Sequence, residues 1–394
     1  PTWFALVAVG AFAIGWNLVE SYKLKVEDDQ PSIFNLQLVT GLAAAFMTVL
    51  LGNLGTIRTV FWGFQRMAAP GGVIPVDATF VQKWIWGAQG LFMSFSGSLL
   101  PIGRGDWYWF PSRVIPAPND VEPITEFPLF TFLYSDMHAH MLVMPITLFI
   151  IAWAISFIKS RAQLSRSEWI AAFGIGALMV GALKPTNTWD LYTYFPLAAI
   201  AVAYTLYKNP LIPSSFDTLR VRTLPSPEGG RQGEGWLWRA VVALGAVVLL
   251  YLLGSLLYYP FDHWYGQSYG AVDSWKGSHT PISSYFTQWG LFLFIIVAWL
   301  AWETREWMAS TPVSHLSKLR NYVLAIEISI AVFISLLAFF AVKGVRVEWM
   351  ALPLAAWAGT LILRPNMPDV KRGVLLMIGT ALALTLAVEV VVLV

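Results

Sequence analysis

The sequence predicts an all-α transmembrane fold, a polytopic helical bundle of about eleven spans with re-entrant or interfacial outer loops, and three observations predict it. Of the 394 residues 57% are hydrophobic and only 12% charged, half the ~25% charge of soluble domains. Mean hydropathy is +0.61, more apolar surface than a soluble monomer can hide. Apolar windows of ~17–25 residues recur along the chain, the length a helix rising 1.5 Å per residue needs to cross a ~30 Å hydrocarbon core.

The windows run 3–19, 36–53, 84–101, 141–158, 169–183, 190–207, 239–258, 286–302, 322–341, 349–363 and 373–394. The third carries Gly, Gln and Ser, and the fifth and tenth are short. The chain begins at Pro1, almost inside the apolar run Trp3–Val19, and ends inside Val388–Val394. This reads as a single membrane domain, an internal piece of a longer protein, with a first helix rather than a signal peptide. Absence of cysteine excludes disulfides and thiolate metal sites. A net charge of +2 by itself says little about nucleic acid, and with basic residues scattered over loops and no single patch, no nucleic-acid partner is expected.

Lysine and arginine in short loops set the expected direction. If the first helix enters from the cytoplasm, 17 of the 25 basic residues fall on cytoplasmic segments. The expected location is therefore the plasma (inner) membrane, multi-pass, with the N-terminal end cytoplasmic. The long connections become an outer loop at 20–35, with Glu27, Asp28 and Asp29, an outer loop at 102–140, a cytoplasmic loop at 208–237 and an outer loop at 259–285. Many of the 20 tryptophans flank windows, as in an aromatic belt at headgroup level.

Candidate chemistry concentrates outside the windows. Residues 102–140 bring Arg113, Glu126, Asp136, His138 and His140 into one segment. If Asp136-x-His138-x-His140 is extended, all three side chains point to one face and suit a divalent metal cation. If it is helical, only Asp136 and His140 share a face, and Ser135 or Asp136 capping the next helix is the plain alternative. The turn Lys184–Asp190 offers Lys184 to a phosphate and Asn187 and Asp190 to hydroxyls, or simply a polar hairpin. Asp262, His263, Asp273, Lys276 and His279 match no metal spacing. Glu327 and Glu389 fall inside apolar windows, where ionisable groups are expensive and raise a functional question.

Several of these pieces, in order, carry a resemblance. Leu51-Gly-Asn-Leu54, Pro111-Ser-Arg-Val-Ile-Pro116, Ile124-Thr-Glu-Phe-Pro128, the Asp136–His140 segment, Asn187-Thr-Trp-Asp190 with Tyr194, and Thr280-Pro-Ile with Trp289-Gly-Leu-Phe292 resemble the bacterial and archaeal "YYY" membrane proteins, a domain of unknown function. The tyrosine triplet that names the family is missing, with Tyr258-Tyr259 the nearest pair, as is the basic segment expected after the last helix. That family is distantly similar to polytopic glycosyltransferases. The resemblance therefore implies transfer of a sugar from a polyprenyl-phosphate donor at the outer face. Asp136 or Glu126 would be the base, Arg113 and Lys184 the phosphate partners, and His138 and His140 the metal or phosphate ligands. Membrane lipid, the sugar donor and other membrane subunits are the expected partners. A non-catalytic subunit of a larger complex, and a transporter or lipid flippase working through Glu327 and Glu389, are the competing classes.

Overall fold

A computed structural model describes residues 1–20, 36–116, 123–135, 137–160, 164–208, 234–265, 271–310 and 323–393. Helices dominate. Seven of them are long and apolar enough to cross a membrane: Thr2–Val19, Ala139–Lys159, Arg166–Thr186, Leu237–Leu257, Ile282–Ser310, Val323–Val342 and Asp369–Ala387. The chain divides into two compact units, Pro1–Leu50 with Tyr134–Gln267, and Leu51–Leu133 with Ser268–Val394.

Unit 1 contains α1 (Thr2–Glu20), α2 (Leu36–Val49), α7 (Ala139–Ser160), α8 (Arg166–Thr186), α9 (Thr188–Lys208), α10 (Glu234–Leu257) and the short α11 (Tyr259–Trp264). Its core joins Ile150 and Phe157 of α7, Phe173 and Leu183 of α8, Val202 and Leu206 of α9, and Leu250 of α10. Ser165 starts α8 with a reciprocal capping box to Glu168, which satisfies two backbone donors that the helix start leaves open. Gly176 of α8 is required because a Cβ there would lie 2.3 Å from the Trp153 ring. That close approach lets the Trp153 indole donate to the Ala172 carbonyl at 2.8 Å.

α1 runs parallel to α7: the Trp3 indole donates to the Leu142 carbonyl at 3.0 Å, and Lys159 Nζ donates to the Asn17 carbonyl at 3.0 Å. α1 therefore starts at the end of unit 1 where α7 starts. The expected placement of the first helix's start opposite residues 138–142 cannot stand with this pairing.

Unit 2 is helical as well. It holds α3 (Gly55–Ala68), α4 (Phe80–Phe95), the single turn α5 (Asp106–Trp109), α6 (Pro128–Tyr134), which closes its first stretch, α12 (Ile282–Ser310), α13 (Val323–Val342), α14 (Glu348–Ile362) and α15 (Asp369–Ala387). α3 and α4 have 14 and 16 residues, about 21 and 24 Å at 1.5 Å each, short of a ~30 Å core. The expected third window, 84–101, is corrected in its bounds, since the helix covers Phe80–Phe95. α4 starts at the Thr79–Gln82 capping box and ends before Gly97, whose φ of +88° turns the chain. Residues 51–127 are fastened to the start of α12. The Leu54 amide donates to the Thr287 carbonyl at 2.8 Å, Asn53 Nδ2 to Gln288 Oε1 at 2.5 Å, and Ser284 to the Val114 carbonyl at 2.7 Å.

The last window is corrected too. α15 stops at Ala387, and Val391–Leu393 forms β2, antiparallel to β1 (Val272–Ser274) with Val272 opposite Leu393. Glu389 thus sits beyond a helix end and not within a span. Glu327, in the first turns of α13, is exposed.

Candidate functional site

In unit 1 the polar residues singled out by sequence gather at one end of the helices. His138 precedes α7 and His140 lies in its first turn, with ring centroids 5.4 Å apart and the planes at 64°. α8 and α9 are broken by a single residue, Asn187, whose extended backbone (φ −154°) ends α8 after Pro185. Buried Asn187 donates through Nδ2 to Asp190 Oδ2 at 2.7 Å, so an amide side chain holds the carboxylate at the start of α9. Burial raises the Asp190 carboxyl above its usual pKa, and the Asn187 hydrogen bond and nearby His140 oppose that rise only in part. Asp190 is a fixed acceptor flanked by an imidazole, suited to a hydroxyl or a cation.

Lys184, one turn before the break, reaches a residue that the sequence left without a role. Its Nζ lies 2.5 Å from Asp262 Oδ1 of α11, with both side chains about three-quarters buried. The pair closes a cleft lined by Gly181, Tyr251, Gly254, Ser255 and Tyr258. Burial pushes the Tyr258 phenol up from its usual pKa, so it stays a neutral hydrogen-bond donor. The cleft holds about 20 Å³, room for one water and not for a sugar phosphate. Lys184 is a locked cation in this conformation.

In unit 2 Arg113 stacks on the Trp109 ring, Cζ to centroid 4.2 Å, and donates to the Ser112 carbonyl at 3.1 Å and Ser112 Oγ at 2.6 Å. A delocalised cation held flat on an indole is oriented before any ligand arrives. Glu126 accepts from Thr131 Oγ1 at 3.3 Å, and its carbonyl accepts from Gln288 Nε2 at 3.3 Å. The candidate base Asp136 lies outside the described residues.

A second group in unit 2 joins Glu389 and His279, which the sequence named separately, with Glu348, which it passed over. Glu389 Oε2 accepts the Thr280 amide at 3.0 Å and lies 3.3 Å from His279 Nδ1. Glu348, the first residue of α14, is completely buried, and neither carboxyl oxygen meets a hydrogen-bond donor outside its own residue. It packs beside Val345, Val347 and Ala351, all buried. No signal marked it, because an acid at a helix start ordinarily reads as an exposed partner of the helix dipole. An unsatisfied buried polar group costs ~1–3 kcal/mol. Glu348→Gln, which keeps the volume and supplies donors, is expected to raise the melting temperature of the purified protein; a lower value would mean that the carboxyl has a partner essential to the fold.

Compared with known families, the whole chain, residues 1–394, matches the family described as Uncharacterized membrane protein (DUF2298). The protein belongs to DUF2298. No curated protein and no solved structure matches it. Membership agrees with the sequence-based expectation of a polytopic membrane domain of unknown function, and it fits the many apolar spans and the membrane-lipid environment of this DUF2298 chain. It carries no activity; the likeness to polytopic glycosyltransferases rests on the sequence motifs alone.

Proposed function

We propose that this DUF2298 protein is a membrane group-transfer enzyme that moves a sugar from a polyprenyl-phosphate donor to an acceptor at the outer face of the plasma membrane. The supporting observation is that His140, Asn187, Asp190, Lys184 and Asp262 gather at one end of unit 1 and not halfway along its helices, where a transporter would place them. With Glu389 beyond a helix end, one of the two acids that supported transport no longer lies in a span.

In this reading the end of unit 1 where α1 and α7 begin is the outer one. Loop assignment then puts 16 of the 25 basic residues on cytoplasmic segments, which keeps the usual inward bias. His138 and His140, two imidazoles with ring centroids 5.4 Å apart, have the chemistry of a divalent cation's ligands. Such an ion would supply charge stabilisation to the leaving phosphate. Arg113, oriented on Trp109, binds the donor phosphate. Asp136 or Glu126 takes the acceptor hydroxyl proton as its oxygen bonds the anomeric carbon and the carbon–oxygen bond to phosphate breaks.

The test uses the full-length protein in vesicles with a labelled prenyl-phosphate sugar. Arg113→Ala, Asp136→Ala and His140→Ala are each expected to reduce transfer by ~10²-fold or more, the usual contribution of a positioned acid–base or electrostatic group. Full transfer by Arg113→Ala and Asp136→Ala would show that the site lies elsewhere. If the unaltered protein neither consumes nor binds the donor, the enzyme reading falls.

A further inference from the structure

The α3–α4 region holds a groove that the transfer reading does not use. About 450 Å³ in volume, it is lined mostly by apolar groups, including Trp62, Ile74, Ile102 and Phe110, with Arg66 and Asp106 as its ionic members. A volume in the 300–1,000 Å³ range suits a small ligand. The groove is built by close packing: a Cβ on Gly63 would meet Leu100 at 2.9 Å and Ile102 at 3.0 Å, so the 100–102 segment lies directly on α3. Arg66 is exposed, and its Nη1 donates to the Pro101 carbonyl at 3.4 Å. The carboxylate of Asp106 accepts the Gly103 amide at 2.7 Å, which keeps a second oxygen available as an acceptor.

The surroundings identify the solvent that this groove meets. Phe80, Phe92 and Phe95 of α4 are 74%, 70% and 79% exposed, and Val73 at the groove's rim is 67% exposed. On a membrane protein, helix faces this apolar and this exposed meet lipid. An apolar trough opening there beside one cation and one anion matches an amphiphile with an acyl chain, a phosphodiester and neighbouring hydroxyls.

We infer that this groove binds a membrane phospholipid of the phosphatidylglycerol type, with the phosphate on Arg66, the glycerol hydroxyls on Asp106 and an acyl chain against Trp62, Ile74 and Phe110. A bare phosphate would be opposed by Asp106, and a choline headgroup has no hydroxyl to donate to it. The site is independent of sugar transfer and stands or falls separately.

Native mass spectrometry of the full-length protein, equilibrated with equal phosphatidylglycerol and phosphatidylcholine, tests it. One phosphatidylglycerol is expected to be retained, with at least tenfold preference over phosphatidylcholine. Arg66→Gln, at an exposed position, and Ile74→Trp, which fills the trough, are each expected to reduce retention tenfold while melting and helix content stay as in the parent protein. Glycerol 3-phosphate in excess is expected not to compete, because it lacks the chain. Equal retention of the two lipids, or undiminished retention in both variants, would overturn the assignment. Competition by glycerol phosphate would overturn it in favour of a headgroup-only anion site.

Discussion

Replacing Glu303 by alanine is expected to destabilise the protein by about 3–5 kcal/mol, the usual consequence of removing one partner from a buried ion cluster. Glu303 is 1% exposed on α12. It meets Arg364 Nη1 at 3.2 Å, from the chain after α14, and Lys371 Nζ, from the first turns of α15, in a close ion pair. Both cations are 19% exposed, so without the acid two poorly solvated positive charges face each other. The cluster also draws three helices together where Trp357 Nε1 donates to Thr304 at 2.8 Å. Glu303→Gln keeps acceptor geometry but not charge, and should fall between parent and alanine variant. Adding Lys371→Met to Glu303→Gln should recover part of the loss, since one uncompensated charge is then gone. Thermal melting in detergent checks the series. An alanine variant that melts with the parent protein would remove the cluster from any account of stability.

The second large effect is expected at Gly181. α8 and α10 cross there so closely that a Cβ on Gly181 would lie 2.5 Å from the Gly254 carbonyl oxygen and 2.7 Å from Tyr258 Cδ2. Small residues allow such backbone approach in membrane helices. A backbone oxygen cannot swing aside as a side-chain tip can, so even Gly181→Ala forces the helices apart, at ~1–3 kcal/mol. The Lys184–Asp262 pair, which the crossing positions, should break with it. Gly254→Ala should be milder, because its nearest atom is the Ala177 oxygen at 3.1 Å. Gly174 and Gly245, on the same two helices, have nothing within 4 Å. Their alanine variants should be neutral or stabilising by up to ~1 kcal/mol, through helix propensity alone. If Gly181→Ala melts no lower than Gly174→Ala, the crossing is not tight in the way described.

These two sites show where sequence reading stops. Glu303 was one charge near a predicted helix end, and Gly181 one glycine in an apolar window. What makes each decisive is a partner more than sixty residues away: Lys371 for the first, Gly254 for the second. The same holds for Lys184. Its place in a turn was legible from Pro185 and Asn187, and its possible phosphate role was reasonable, but Asp262 occupies it in the structure. Glu348 gave no warning at all, because burial at a helix start depends on what packs over it.

Loop charge does not fix the direction of the first helix. Loop charge alone divides the basic residues 17 to 8 under the expected topology and 16 to 9 under the one proposed above. A difference of one charge cannot choose between them. What the Trp3–Leu142 and Lys159–Asn17 hydrogen bonds add is that α1 and α7 start at the same end of unit 1.

The sequence by itself determined that this is a many-helix membrane protein, because hydropathy over a ~20-residue window is a local property and lipid requires nearly every spanning segment to be a helix. It also determined where the polar candidates cluster along the chain, through composition and turn residues at Arg113–His140 and Lys184–Asp190. Only the tertiary structure decided that the helix of the third window covers Phe80–Phe95, that Val391–Leu393 leaves the last helix to pair with Val272–Ser274, and which charges neutralise one another. Those outcomes depend on contacts between segments distant in sequence, whose energies no local pattern records.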